Sequence, residues 1–421
     1  GKGKSLKAIL PKIKFKNFYE KWNRKKLQSI APLRGGFAFK SEKFQNVGIP
    51  IVRISNIGFD GTVGGEFEYY SKLSPDEKFV LKGRSLLLAM SGATTGKIAM
   101  LDSEEEYYQN QRVGYFQNNG TVDYDFLSSV LQTKAFTNQL NAVLVAGAQP
   151  NISSKEIDSF EFCIPESIEE QTAIGSLFHT LDDLLASYKD NLTNYQSLKA
   201  TMLSKLFPKA GQTVPEIRLE GFEGEWEKTT LEKSTDRVKS YSLSRDVETN
   251  QDTGLKYIHY GDIHLGKVSM IDDGNTIPYI KTDTKLSEFL QRGDLIFADA
   301  SEDYKGIAEV AVIVTTLSEK IVAGLHTIAV RPYSIFDSIF LYYMFKTQTF
   351  RKYGYRVGTG MKVFGISPSN LMKYEFFYPD KKEQQAIGSY FSNLDYLINS
   401  YQEKIFQLDT LKKKLLQDMF I

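Results

Sequence analysis

Ser91-Gly-Ala-Thr-Thr-Gly-Lys-Ile98 has the residue types of a phosphate-binding loop. Its spacing is wrong for one. That loop needs a glycine, four residues and then Gly-Lys followed by a hydroxyl residue that holds magnesium. Here three residues separate Gly92 from Gly96, and Ile98 stands where the hydroxyl should be. The segment is better read as strand, turn and strand, with a turn able to approach a DNA phosphate. No Gly-x-Gly-x-x-Gly follows an expected strand, and neither a His-Glu-x-x-His motif nor the Asn- or Asp-Pro-Pro-aromatic tetrapeptide of an amino-methyltransferase occurs. Asp283-Thr-Lys285 ends like a nuclease motif but lacks a convincing upstream acid. One cysteine, Cys163, and four histidines (His179, His259, His264 and His326) can form neither an internal disulfide nor a zinc cage. The histidines read as solvated or hydrogen-bonded, and Cys163 as core packing.

The elements that would position such residues are written twice. Pro11-Lys-Ile-Lys-Phe-Lys-Asn-Phe18, with Trp22 and Leu27, matches Pro215-Glu-Ile-Arg-Leu-Glu-Gly-Phe222, with Trp226 and Leu231. Leu86-Leu-Leu-Ala-Met90 faces Leu295-Ile-Phe-Ala-Asp299, and Asp123, Phe126 and Phe136 face Asp337, Phe340 and Phe350. Ile152-Ser153 and Pro165 face Ile366-Ser367 and Pro379. Glu170-Gln-Thr-Ala-Ile-Gly-Ser176 then matches Glu383-Gln-Gln-Ala-Ile-Gly-Ser389, and 16 of 38 positions are identical from there to Phe207 and Phe420. After that motif apolar residues step by three or four (Ile174, Leu177, Leu181, Leu184; Ile387, Tyr390, Leu394, Leu397), which predicts two long helices. About 38 residues rising about 1.5 Å each give a rod of roughly 57 Å, suited to a spacer. Upstream of each rod, short β-branched or apolar runs alternate with Gly-rich turns, and 124–140 and 336–353 read as helical. The expected fold class is α+β: two similar domains alternating with two long helices packed as an antiparallel coiled coil. The segments are 1–10, a basic N-terminal segment or tag; 11–165 and 215–379, the two domains; 166–207 and 380–421, the helices; and 208–214, a linker.

Composition supports an ordinary globular chain. Its 421 residues are 42% hydrophobic and 24% charged, with no apolar run long enough for a membrane span, and cysteine usage suits a reducing cytoplasm. A net charge of +1 announces no nucleic-acid partner, but the cations cluster. Six Lys or Arg and no acid lie between Ser338 and Tyr374, and nine lie between Lys12 and Lys40 against Glu20 alone.

The doubled, collinear order of these motifs over residues 11–421 resembles the DNA specificity subunit of Type I restriction-modification systems. The turn before the central strand, usually Gly-Asp-Leu in that family, is kept as Gly293-Asp294-Leu295 but reads Gly83-Arg84-Ser85-Leu86 in the first half. The resemblance implies two target-recognition domains, each reading one half of a bipartite double-stranded DNA sequence, with the helices setting the gap. It implies no catalysis and no cofactor in this chain. Two modification subunits using S-adenosylmethionine for adenine methylation, and restriction subunits using ATP and magnesium, are the implied partners, in the cytoplasm and with no membrane. The alternative is a coiled-coil scaffold with two protein- or glycan-binding domains. On the first reading, polar and basic residues in loops that differ between halves are the candidate DNA contacts. These are Arg53, Asn56, Arg84, Thr94, Thr95, Lys97, Gln111, Arg112 and Gln149 in the first half. In the second half they are His264, Arg292, Lys305, Arg351, Arg356 and Lys362.

Overall fold

The computed structural model describes residues 11–146, 151–301, 308–358 and 364–421; residues 1–10 and the candidates Gln149, Lys305 and Lys362 lie outside them. Two compact units emerge, one of residues 1–189 with 403–421 and the other of residues 190–402. Each therefore holds the beginning of one long helix and the end of the other.

In the first unit Ser85–Ala89 is the inner strand of a sheet ordered Leu33–Arg34, Val113–Phe116, Ser85–Ala89, Ile98–Leu101. Its side chains alternate between faces. Leu86 and Leu88 join Trp22, Phe116, Phe126 and Phe178 in the helix-covered core, while Leu87 and Ala89 pack with Val52, Ile57 and Leu81 toward a second sheet. A strand buried on both faces has to be apolar throughout, which accounts for Leu86-Leu-Leu-Ala-Met90. The second sheet runs Glu68–Tyr70, Ile49–Val52, Tyr107–Gln109, Val80–Leu81, with the middle pair parallel.

The second unit repeats the plan with additions. Leu295–Ala298 lies inside a five-stranded sheet, Leu295 and Phe297 facing the helices and Ile296 and Ala298 the opposite core. The apolar runs Leu86–Met90 and Leu295–Asp299 are these two central strands, each within one residue. The two expected helices are each broken in two: Tyr124–Val130 then Lys134–Ala146, and Ser338–Met344 then Gln348–Val357. A threonine ends the first piece and caps the next in both halves, Thr133 Oγ1 accepting from Phe136 N–H and Thr347 Oγ1 from Phe350 N–H, each at 3.4 Å.

The long helices run over Ile168–Lys205 and Lys381–Asp418. Their shared opening motif is a docking device. The Gln171 side chain accepts from Asp123 N–H at 2.9 Å and donates to Pro165 O at 2.8 Å; Gln384 does the same with Asp337 N–H and Pro379 O at 2.8 and 2.9 Å. Glu170 takes the Trp22 indole N–H at 3.1 Å, whereas Glu383 takes the Arg218 guanidinium. At Gly175 a Cβ would meet Phe126 N at 2.5 Å and Asp123 Oδ1 at 2.7 Å, so only glycine lets the rod lie against that helix start.

Within each unit the two helix segments pack antiparallel. In the first, Phe420 meets Phe178 while Lys412 binds Asp182. In the second, Phe207 meets Phe391, Lys199 binds Asp395 and Tyr195 meets Tyr401. Lys199 and Lys412 are repeat equivalents, as are Asp182 and Asp395, so the same pair forms once in each unit with partners exchanged. No described helix is long and apolar enough to cross a membrane.

Candidate nucleic-acid interface

The turn leaving the first central strand is assembled from three chain segments. Gly92 and Gly96 have φ of +75° and +89°, and the second allows Gly96 N–H to return to Ala89 O at 2.8 Å. Met90 N–H donates to Arg112 O at 2.9 Å, Ile152 N–H donates to Met90 O at 3.0 Å, and Ser91 bridges Asn151. These bonds bring Thr94, Thr95, Lys97, Gln111 and Arg112 to one end of the sheet. Gln111 and Arg112 are exposed, Lys97 lies over the Phe59 ring, and Thr95 Oγ1 donates to Gly92 O. Thr94 Oγ1 is buried with no hydrogen-bond partner among the described residues.

Other first-half candidates have structural roles. Asn56 is a correction: it is 2% exposed, accepts from Arg53 N–H and donates to Gly64 O and Glu66 O, so its amide builds a loop and cannot read a base. Arg53 pairs with Glu68 at 3.5 Å. Arg84, another candidate DNA contact, is instead gripped at both carboxylate oxygens by Asp125, which raises the guanidinium's pKa above its ordinary value. It sits at the opposite end of the central strand from the Ser91–Lys97 turn.

The second unit keeps the frame and changes the chemistry. Asp299, the equivalent of Met90, donates its N–H to His326 O at 3.0 Å, and Ile366 N–H donates to Asp299 O at 2.8 Å. His326 thus occupies the place of Arg112. It has φ of +55°, unusual for a side chain of its size, and its Nδ1 lies 3.1 Å from Asp299 Oδ1. Burial raises the Asp299 carboxyl above its usual range against the opposing pull of His326. The Tyr260 ring meets His326 edge-on at 5.4 Å, and His264 Nδ1 lies 3.4 Å from Ser301 Oγ.

His264, a candidate from the sequence, thus lies against Ser301 two residues beyond Asp299, while Tyr260, Asp299 and His326 were not among the sequence candidates. The repeat offset that faces Asp123 with Asp337, carried back to Arg112, would have led to His326. The left-handed backbone of His326 has no signal in the sequence.

Remaining second-half candidates divide. Arg292 is exposed and unpaired among the described residues, beside the Gly293 turn. The adjoining Asp294 is fully buried and held by Arg331 at 2.7 and 2.8 Å, so that turn is a structural clamp. Arg351 is a correction: it is buried beside Lys346 and both bind Glu309. Burial alone would raise the Glu309 carboxyl, yet the two cations leave it below its ordinary value. Arg356 is exposed, stacks over Tyr353 and lines a separate groove with Lys352 and Lys373. The acid-free stretch is thus part internal clamp and part surface.

Residues 19–195 match the family of the Type I restriction modification DNA specificity domain. The chain is 27% identical over 196 residues to the Type I restriction enzyme MjaVIII specificity subunit of Methanocaldococcus jannaschii, covering 44% of this chain and 45% of that protein. It is 29% identical over 183 residues to the Type I restriction enzyme EcoAI specificity subunit of Escherichia coli, covering 42% and 31%. The matches span less than half the length of these curated relatives. The crystal structure of a Type I restriction-modification system S subunit from M. genitalium has the same fold, with a TM-score of 0.64 over 98% of this chain and 99% of that one at 16% identity.

Proposed function

From a chain whose residues 19–195 match the Type I restriction modification DNA specificity domain family, and whose second half repeats the plan of the first, we propose a DNA-recognition subunit of a Type I restriction-modification complex. The observation that carries this reading is the pair of equivalent loop clusters at the ends of the two central strands. They share backbone hydrogen bonds and differ in side chains, Met90 with Arg112 against Asp299 with His326. Two frames of one kind with different displays suit two different half-sequences. An exposed Arg112 fits a guanine edge or a phosphate, and the Asp299–His326 pair offers donor and acceptor together.

In this reading the antiparallel helices set the gap between half-sequences and recruit two modification subunits. Exposed Tyr396, Phe406 and Leu411 supply apolar surface for that docking. Catalysis, with S-adenosylmethionine, ATP and magnesium, belongs to the modification and restriction partners in the cytoplasm, and this chain contributes none. The test is a map of adenine methylation in cells carrying the modification subunits with and without this chain. Loss of methylation at one bipartite motif of fixed gap supports the reading; an unchanged map with both partners expressed refutes it.

A further inference from the structure

Each unit contains a short antiparallel strand pair, Asn23–Lys26 with Glu161–Ile164 and Glu227–Thr230 with Glu375–Tyr378, and their outer edges differ. Leu231 N–H donates to Tyr374 O at 3.0 Å. The ladder bonds therefore fall on that pair and on every second pair after it, and the N–H and C=O of Glu375 and Phe377 point away from the partner strand. The first unit has the same register, with Leu27 N–H on Phe160 O at 2.9 Å. There the outward groups of Glu161 are closed by one side chain: the Gln139 amide donates to Glu161 O at 3.1 Å and accepts from Glu161 N–H at 2.9 Å. Gln139 imitates a neighbouring strand. Its equivalent is Tyr353, whose hydroxyl turns instead to Asn370 O, and among the described residues nothing bonds the N–H or C=O of Glu375.

This open edge forms one wall of a groove of about 930 Å³, against about 460 Å³ at the equivalent place in the first unit. Phe207, Tyr374 and Phe376, almost wholly buried core residues, form its apolar floor. Lys352, Arg356 and Lys373 are exposed along it with no acidic partner among the described residues. The one carboxylate in the lining, Glu375, is held by Lys228 at 2.8 Å.

We propose that this groove takes an extended acidic segment of a partner protein, added as a third strand along Glu375–Phe377 with its carboxylates toward Lys352, Arg356 and Lys373. The unfilled backbone pair favours a peptide over a nucleic acid. A phosphate matches the N–H but is repelled by the carbonyl beside it, whereas an added strand satisfies both and the cations select its charge. The site is distinct from the strand-end loops proposed for DNA and stands independently of that reading.

The test uses the full chain and fluorescein-labelled peptides of alternating Glu and Val, Lys and Val, and Ser and Val, read by fluorescence anisotropy. The Glu-Val peptide should bind tightest and the Lys-Val peptide not at all. Tyr353→Gln, which installs the first unit's closure, and the surface double variant Lys352→Glu with Lys373→Glu should each weaken it about tenfold or more. Unchanged melting of the double variant guards against misfolding as the cause. Equal binding of the three peptides, no binding of the Glu-Val peptide at millimolar concentration, or displacement of bound peptide by duplex DNA would each overturn the proposal.

Discussion

Among the basic residues, burial and pairing separate those free to meet the proposed DNA target from those that hold the fold. Arg112 and Arg292 are exposed and unpaired among the described residues, so Arg112→Ala and Arg292→Ala should each lower DNA affinity and make its salt dependence shallower by about one counterion. Titrations of the assembled complex at several salt concentrations check this, and an unchanged slope removes the residue from the interface. Arg351 belongs to the other class. Its loss should destabilise the fold by about 2 kcal/mol, seen as a lower melting temperature, because Glu309 would keep only Lys346. The same cluster predicts a pH effect. Since the folded Glu309 carboxyl lies below its ordinary value, its stabilisation is complete above the usual carboxylate range and disappears as pH falls through the lowered value. Melts of wild type and Glu309→Gln should converge between about pH 7 and about pH 3; a constant difference would show that the charge is irrelevant.

Elements are placed here by a few polar contacts repeated in both halves. Asp123 and Asp337 cap short helices, and Gln171 and Gln384 hold the capping residue's own N–H, so helix start, strand end and rod meet at one point. Gly175 and Gly388 make that approach possible to different degrees, with a Cβ meeting backbone nitrogen at 2.5 Å in the first and 3.2 Å in the second. Gly175→Ala should therefore cost about 1–3 kcal/mol by overpacking, and Gly388→Ala clearly less because its closest contacts are longer, at 3.2 Å. Calorimetry of the two variants distinguishes them, and equal losses would mean that helix propensity rather than contact governs the site. The Glu-Gln-x-Ala-Ile-Gly motif was visible in the sequence as a repeat, but its purpose was not. Gln and Gly act there through residues some 48 positions upstream, which only the fold brings near.

For the whole molecule, the duplication is what links structure to the proposed activity. Each unit uses the end of one rod and the start of the other, and the Lys–Asp pairs recur with partners exchanged. If these helices set the gap, inserting one turn of about four residues after Asn191 and another after its equivalent Lys404 should lengthen the methylated motif's gap while preserving both half-sequences. Methylation mapping reads the outcome directly, and an unchanged gap would refute the spacer role.

The sequence by itself determined the duplication, the two long helices and the positions of the central strands. These rest on periodicity and on motif order, which are local or translational properties of the chain. It also named Arg112, Lys97 and their neighbours as candidate DNA contacts, without grouping them. Only the tertiary structure decided that Asn56 and Arg351 are internal and that Arg84 is gripped by Asp125. It alone set His326 in the place of Arg112, and left one strand edge open where Gln139 closes the other. Those outcomes depend on which distant groups share a buried space or a hydrogen bond, and residue type and spacing do not carry that information.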